Sequence, residues 1–250
     1  MMYTCPCCCY NTLDETGHYY ICPICFWEDD PTQRKNIDYI SGANNTSLRQ
    51  ARYNFLLIGA CRSDMTKSVR KLSKENTIDK DLKLSIIKDI GSEALHNFYN
   101  DYLFANTWVQ RKDGIPLDLL EELSEDETII AENEFLITLD STRDYWIFLG
   151  LSFLKSHRAL PTFYSLLEKE DNIKMRIYLS YSIYRIIEDQ TMINIVLDEM
   201  SKLKEWYDII DFLFLLPDFQ NEKTDKLLKQ YTTHNHCLVA YNAKRITKGL

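Results

Sequence analysis

Over most of its length the chain places apolar residues three and four positions apart, the spacing of one helix face. Leu48, Ala51, Phe55 and Ile58 predict a helix that Thr46 or Ser47 caps and Gly59 ends. Leu82, Leu84, Ile87 and Ile90 predict a second, ending at Gly91, and Leu95, Phe98, Tyr102 and Leu103 a third. Gly114-Ile115-Pro116 then breaks the chain. From Ser124 the pattern becomes regular and repeats at about 32 residues. Helices are predicted over 126–139, 145–154, 158–168, 173–187, 191–197, 206–216, 226–231 and 237–246, alternating amphipathic segments with segments apolar nearly all round. That contrast belongs to stacked helical hairpins, in which one helix of each pair is sandwiched between neighbours.

The first 25 residues follow another rule. Asp14-Glu15-Thr16-Gly17 predicts a turn, and Tyr19-Tyr20-Ile21 a strand after it. On either side lie Cys5-Pro6-Cys7-Cys8 and Cys22-Pro23-Ile24-Cys25, two C-x-x-C pairs separated by thirteen residues. Each pair can form a knuckle whose sulfurs converge from one side, and two facing knuckles complete a tetrahedral thiolate shell. The preferred ligands are Cys5, Cys8, Cys22 and Cys25 around one structural Zn2+, with Cys7 able to replace Cys5 or Cys8, and Cys9 beside them. A thioredoxin-like redox pair fits less well, since two pairs occur and no βαβ pattern surrounds either. So small a core buries little apolar surface, so a metal would supply much of its folding free energy. Phe26 and Trp27 are expected to cover the thiolates. Glu28, Asp29 and Asp30 read as caps and ion-pair partners, with Arg49 and Arg52 solvated or paired to them.

Six of the eight cysteines fall in this first stretch, a distribution that suits a reducing compartment and a metal better than a disulfide framework. The opening residues carry neither a basic nor an apolar run, and the longest apolar stretch, 145–154, is too short to span a bilayer. A soluble cytoplasmic protein is the expectation. The formal charge is −8. Much of it lies between residues 113 and 142, where Asp113, Asp118, Glu121, Glu122, Glu125, Asp126, Glu127, Glu132, Glu134 and Asp140 stand without a lysine or arginine. The run reads either as a solvated helix face or as a surface for a basic partner, Glu121, Glu122, Glu125, Asp126 and Glu127 being its densest part.

The residues Cys5-Pro6-Cys7-Cys8, Tyr10, Thr12-Leu13-Asp14-Glu15, Tyr20 to Asp30, Gly42-Ala43-Asn44, Ser47-Leu48, Ala51-Arg52 and Asn54-Phe55 together resemble the bacterial cysteine-rich CPCC domain family. The resemblance covers about a quarter of the chain and implies a small metal-binding module with no established activity. Cys9 departs from it, the family usually having glycine there. Similar modules occur near bacterial polymorphic toxin systems, which implies a role in immunity. The Leu160-Pro161 step and the early Arg176 resemble HEAT-type repeats.

The sequence therefore predicts a mainly α protein: a cysteine-rich zinc-ribbon-like β module over 1–64, a helical connector over 65–124 and a HEAT-like helical solenoid over 125–250. His234, His236 and Cys237 lie too close in sequence to converge on one ion, and His18, His96 and His157 stand apart. With no phosphate-cradling loop or nucleophile elbow, a non-enzymatic protein-binding role is expected, with a basic toxin domain as partner. The alternative is a regulator whose ribbon contacts nucleic acid or scaffolds a complex. Five basic against seven acidic residues in the first 64 disfavour it.

Overall fold

The computed structural model describes residues 2–73, 75–139 and 142–249, and Asp140 of the acidic run lies outside them. It divides into two compact units, Met1–Thr142 and Arg143–Leu250. Among the described residues are fourteen α-helices and a single two-stranded sheet, so the protein is mainly α.

In the first unit, β1 (Tyr3–Thr4) pairs antiparallel with β2 (Asn11–Leu13) around the first cysteine knuckle. The second knuckle is closed by a shorter ladder. Tyr19 donates to the Asp29 carbonyl, Asp29 to the Tyr20 carbonyl, and Ile21 bridges Glu28. The predicted strand over Tyr19–Ile21 is thus reduced to one bridge. Tyr19 sits at φ +59°, a left-handed conformation no strand can contain. Two facing ladders, each tipped by a knuckle, make the ribbon.

Helix α1 (Pro31–Lys35) begins where Asp30 accepts the amides of Thr32 and Gln33, with proline at its first position. Helix α2 (Leu48–Ile58) runs as the sequence predicts. Ser47 caps it, and Gly59 at φ +72° ends it in the left-handed region that glycine enters without steric cost. It packs Leu48, Ala51 and Phe55 against the ribbon's cysteines, Leu13 and Trp27. Residues 77–79 stitch the ribbon onward, with Asn11 donating to Thr77 (2.9 Å), Tyr10 bridging Ile78 and Asp79 donating to Cys9 (2.9 Å).

Helix α3 (Lys80–Ile90) follows directly, capped by that same Asp79. Then come α4 (Glu93–Asn97), a wider turn over 98–103, the single turns α5 (Trp108–Arg111) and α6 (Asp118–Glu121), and α7 (Glu125–Leu139). Phe98, Tyr102 and Phe135 meet edge-on or tilted at centroid distances of 5.1–6.0 Å, forming the core beneath α7. Into this apolar setting α3 sends Lys83, 2% exposed, whose ammonium meets Glu134 at 2.9 Å above the rings of Phe55 and Tyr99. Tyr99 donates to the same carboxylate oxygen at 2.6 Å. Burial pushes the lysine pKa down, but the charge and hydrogen bond of Glu134 together with the neighbouring cysteines outweigh it, and the pKa stands above the ordinary value.

In the second unit, α8 (Tyr145–Phe153), α10 (Ile173–Ile187), α12 (Trp206–Leu213) and α14 (Cys237–Thr247) alternate with α9 (Leu160–Lys169), α11 (Thr191–Ser201) and α13 (Glu222–Tyr231). The second set starts at residues 160, 191 and 222, steps of 31, so the repeat is real in space. Contacts recur between successive members: Tyr145 stacks on Tyr178 at 4.4 Å, and Tyr178 meets Phe212 at 4.9 Å. Ion pairs fasten α10 to the elements after it, Arg176 to Glu199 at 2.6 Å and Arg185 to Asp218 at 2.5 Å. Stacked hairpins of this kind are HEAT-like.

The buried pair yields a prediction. Glu134→Gln leaves an ammonium in an apolar interior without its counter-charge, so urea unfolding should show a loss of about 3–5 kcal/mol. Lys83→Met combined with Glu134→Leu should cost less than Glu134→Gln alone, because no charge remains buried.

Candidate metal centre

Both knuckles obey the same backbone rule. The amide of Cys9 donates to the Cys5 carbonyl (3.0 Å) and that of Phe26 to the Cys22 carbonyl (2.8 Å). Cys5 in turn donates to Tyr10 (2.9 Å) and Cys22 to Trp27 (2.8 Å). Each loop needs a left-handed residue after its second cysteine, and Cys9 (φ +68°) and Phe26 (φ +63°) occupy those places. Both are places that glycine would enter at less steric cost.

The four sulfurs of Cys5, Cys8, Cys22 and Cys25 converge, every pair of ligand atoms within 4.8 Å, and all four side chains are fully buried. Cys5 to Cys25 and Cys8 to Cys22 are each 3.6 Å. A tetrahedral ion with metal–sulfur bonds of about 2.3 Å needs sulfur–sulfur edges of about 3.8 Å, so the shell fits one ion. Electrostatics point the same way. Burial pushes the thiols of Cys5, Cys8 and Cys25 up, whereas hydrogen bonds from the neighbouring sulfurs, that from Cys25 foremost, pull Cys22 down. Burial keeps most of these thiols neutral, so four thiolates could coexist in so dry a pocket only around a cation.

The surplus thiols sit close by and are also buried. Cys7 and Cys9 lie outside the converging set. Burial pushes the Cys9 thiol to about 12 and the Cys61 thiol to about 12. Cys61 donates its thiol to the Phe26 carbonyl at 3.3 Å. Trp27, fully buried, packs in the same cluster as the four ligands, and Phe26 flanks it.

The acidic turn is structural. Asp29 holds Arg34 through two bonds of 2.8 and 3.0 Å and accepts the Gly17 amide at 2.6 Å. Asp30 accepts three amides, from Thr32, Gln33 and Ala43; burial opposes ionisation, but these bonds hold its carboxyl below the ordinary value. The arginines choose other partners than expected: Arg49 pairs with Asp38 and Asp89, and Arg52 donates to the Pro6 carbonyl at 2.9 Å. Arg52 thereby fastens α2 to the first knuckle. The Gly42-Ala43-Asn44 stretch supplies a further clasp. Asn44 accepts from the Glu28 amide and donates to its carbonyl, both at 2.8 Å, and a side chain on Gly42 would collide with Gln33 and Asp30 at 2.4–2.5 Å. Thr12, whose hydroxyl lies 3.1 Å from the Cys22 sulfur, carries no signal in the sequence that would place it beside the ligand shell.

Elsewhere, His236 stacks on Trp206 at 4.7 Å and donates its amide to His234, so this pair serves packing. Among the described residues, only the four cysteines group as three or more metal-capable side chains. Of the predicted partner surface, Glu121, Glu122, Glu125 and Asp126 are exposed. Glu127 is turned inward: its carboxylate accepts the amides of Ser92 (3.2 Å) and Ser124 (3.1 Å), joining the starts of α4 and α7. Beside it, Tyr53, Ile90, Gly91, Ser92, Glu125 and Asp126 line an open groove of about 450 Å³.

Residues 3–76 match the model of the family described as cysteine-rich CPCC. No curated protein and no solved structure matches the chain significantly. Among the described residues, no helix is long and apolar enough to cross a membrane.

The ligand set makes a direct prediction. Elemental analysis of the purified full chain should find one metal per chain, retained in Cys7→Ser and Cys9→Gly and lost in Cys22→Ser or Cys25→Ser. Metal loss in Cys7→Ser with retention in Cys8→Ser would exchange those two residues in the shell.

Proposed function

We propose that the chain is a non-enzymatic protein-binding protein of the cytoplasm, an immunity protein that neutralises a bacterial toxin domain by direct binding. Its metal is zinc, held structurally. The closed thiolate shell supports the second point: all four ligand positions are filled by fully buried cysteines, leaving no place for substrate or a reactive water. A centre of that kind shapes a fold and does not catalyse.

The acidic edge carries the binding reading. Glu121, Glu122, Glu125 and Asp126 face solvent beside the groove at Tyr53, in a stretch without lysine or arginine, and such a surface attracts a cationic partner over the Debye length. Tyr53 donates its hydroxyl to Asp126 at 2.9 Å and offers an aromatic face at the rim. A cationic toxin domain, a nuclease being one example, fits this chemistry. The nucleic-acid reading has less support, because three ribbon arginines are already engaged by carboxylates: Arg34 by Asp29, Arg49 by Asp38 and Asp89, Arg62 by Asp64.

Affinity capture with the full chain should retrieve a basic toxin domain. The triple variant Glu121→Lys, Glu122→Lys, Glu125→Lys should then slow association with the captured partner by about tenfold at low ionic strength and flatten its salt dependence. An unchanged rate removes this edge from the interface, and capture of nucleic acid in place of protein contradicts the reading.

A further inference from the structure

The four sulfurs do not have equal surroundings. Cys5 faces Cys25 and Cys8 faces Cys22, each at 3.6 Å, but among the described residues Cys22 alone of the four is also met by a hydroxyl, that of Thr12 at 3.1 Å. Thr12 lies on β2, the strand that leaves the first knuckle, and is 8% exposed. Its hydroxyl has one other acceptor within reach, the Tyr10 carbonyl at 3.4 Å, well beyond the 2.5–3.0 Å of a good O–H···O bond. The sulfur is therefore the partner it serves. Once a metal is bound, Cys22 is a thiolate with no proton to give, so Thr12 must be the donor.

We propose that Thr12 is the outer-sphere positioning residue of the metal centre, its hydroxyl fixing and quenching the Cys22 thiolate from the opposite half of the ribbon. This rests on the reading of the four cysteines as a metal centre. A hydrogen bond to a metal-bound ligand orients it and draws charge from it, and bonds to charged acceptors are about twice as strong as neutral ones. Two consequences follow for this chain. The bond joins the strand after Cys5-x-x-Cys8 to the first residue of Cys22-x-x-Cys25, so the two knuckles are tied by a contact other than the ion. It also makes Cys22 the least nucleophilic of the four sulfurs, since its lone pair is shared between metal and hydroxyl.

The experiment compares the full-length protein with Thr12→Val, which keeps the shape and removes the hydroxyl, and Thr12→Ser, which keeps the hydroxyl. Each is loaded with cobalt and its sulfur-to-metal charge-transfer band recorded. Each is also loaded with zinc and treated with iodoacetamide, the modified cysteines being read by mass spectrometry. The band should move to lower energy in Thr12→Val and return in Thr12→Ser. Cys22 should be the slowest ligand to alkylate in the natural chain, react about tenfold faster in Thr12→Val, and recover its protection in Thr12→Ser. A band and a Cys22 rate unmoved by Thr12→Val, on protein that holds its metal, overturn the role of Thr12 and leave the centre standing. A natural chain that takes up no metal overturns both. Should Thr12→Val fail to fold, the order of alkylation in the natural chain decides: Cys22 reacting as fast as Cys5, Cys8 or Cys25 overturns the proposal.

Discussion

Four cysteine sulfurs meeting in a dry pocket are the constraint on which the first unit depends. Their convergence is what lets two ladders of a few residues each stand as a fold, since a sheet so small has little apolar surface to hold it. The requirement spreads outward through named contacts. Left-handed turns at Cys9 and Phe26 aim the sulfurs, Trp27 and Phe55 close over them, and Arg52 ties α2 to the first knuckle. Residues 77–79 bind the same knuckle to α3, whose Lys83 ends on Glu134 of α7. The acidic edge at the start of α7 is thus carried on a scaffold traceable back to the metal centre.

The second unit has a different source of order. Helices α9, α11 and α13 start at steps of 31 residues, ring contacts run from α8 to α10 and from α10 to α12, and arginines of α10 hold carboxylates on the elements after it. Stability there is shared among neighbours, with no single centre. The two units are therefore expected to respond differently to a chelator.

Much of this was legible in the sequence because the signals were local. Helix α2 could be read to within a residue, since Thr46 or Ser47, the 48/51/55 stripe and Gly59 are cap, face and stop of one element, and Ser47 is the cap. Spacing pointed to the four cysteines but left Cys7 able to replace Cys5 or Cys8; the sulfurs that converge are those of Cys5, Cys8, Cys22 and Cys25. What was illegible depended on distance in sequence. Tyr19–Ile21 has strand composition, yet the second ladder opposes it with only a few residues and its first member turns left-handed. Glu127 looks like one more charge in an acidic run until Ser92, thirty-five residues away, is seen donating to it. Lys83, Thr12 and Asn44 are ordinary polar residues in one dimension and buried partners in three.

On the proposed reading Cys5, Cys8, Cys22 and Cys25 hold one zinc ion in a closed shell. X-ray absorption at the zinc edge of the purified full chain tests it most directly. The expected spectrum is that of a single shell of four sulfurs at about 2.3 Å. A shell containing nitrogen or oxygen, or a folded chain with no zinc to absorb, would contradict it.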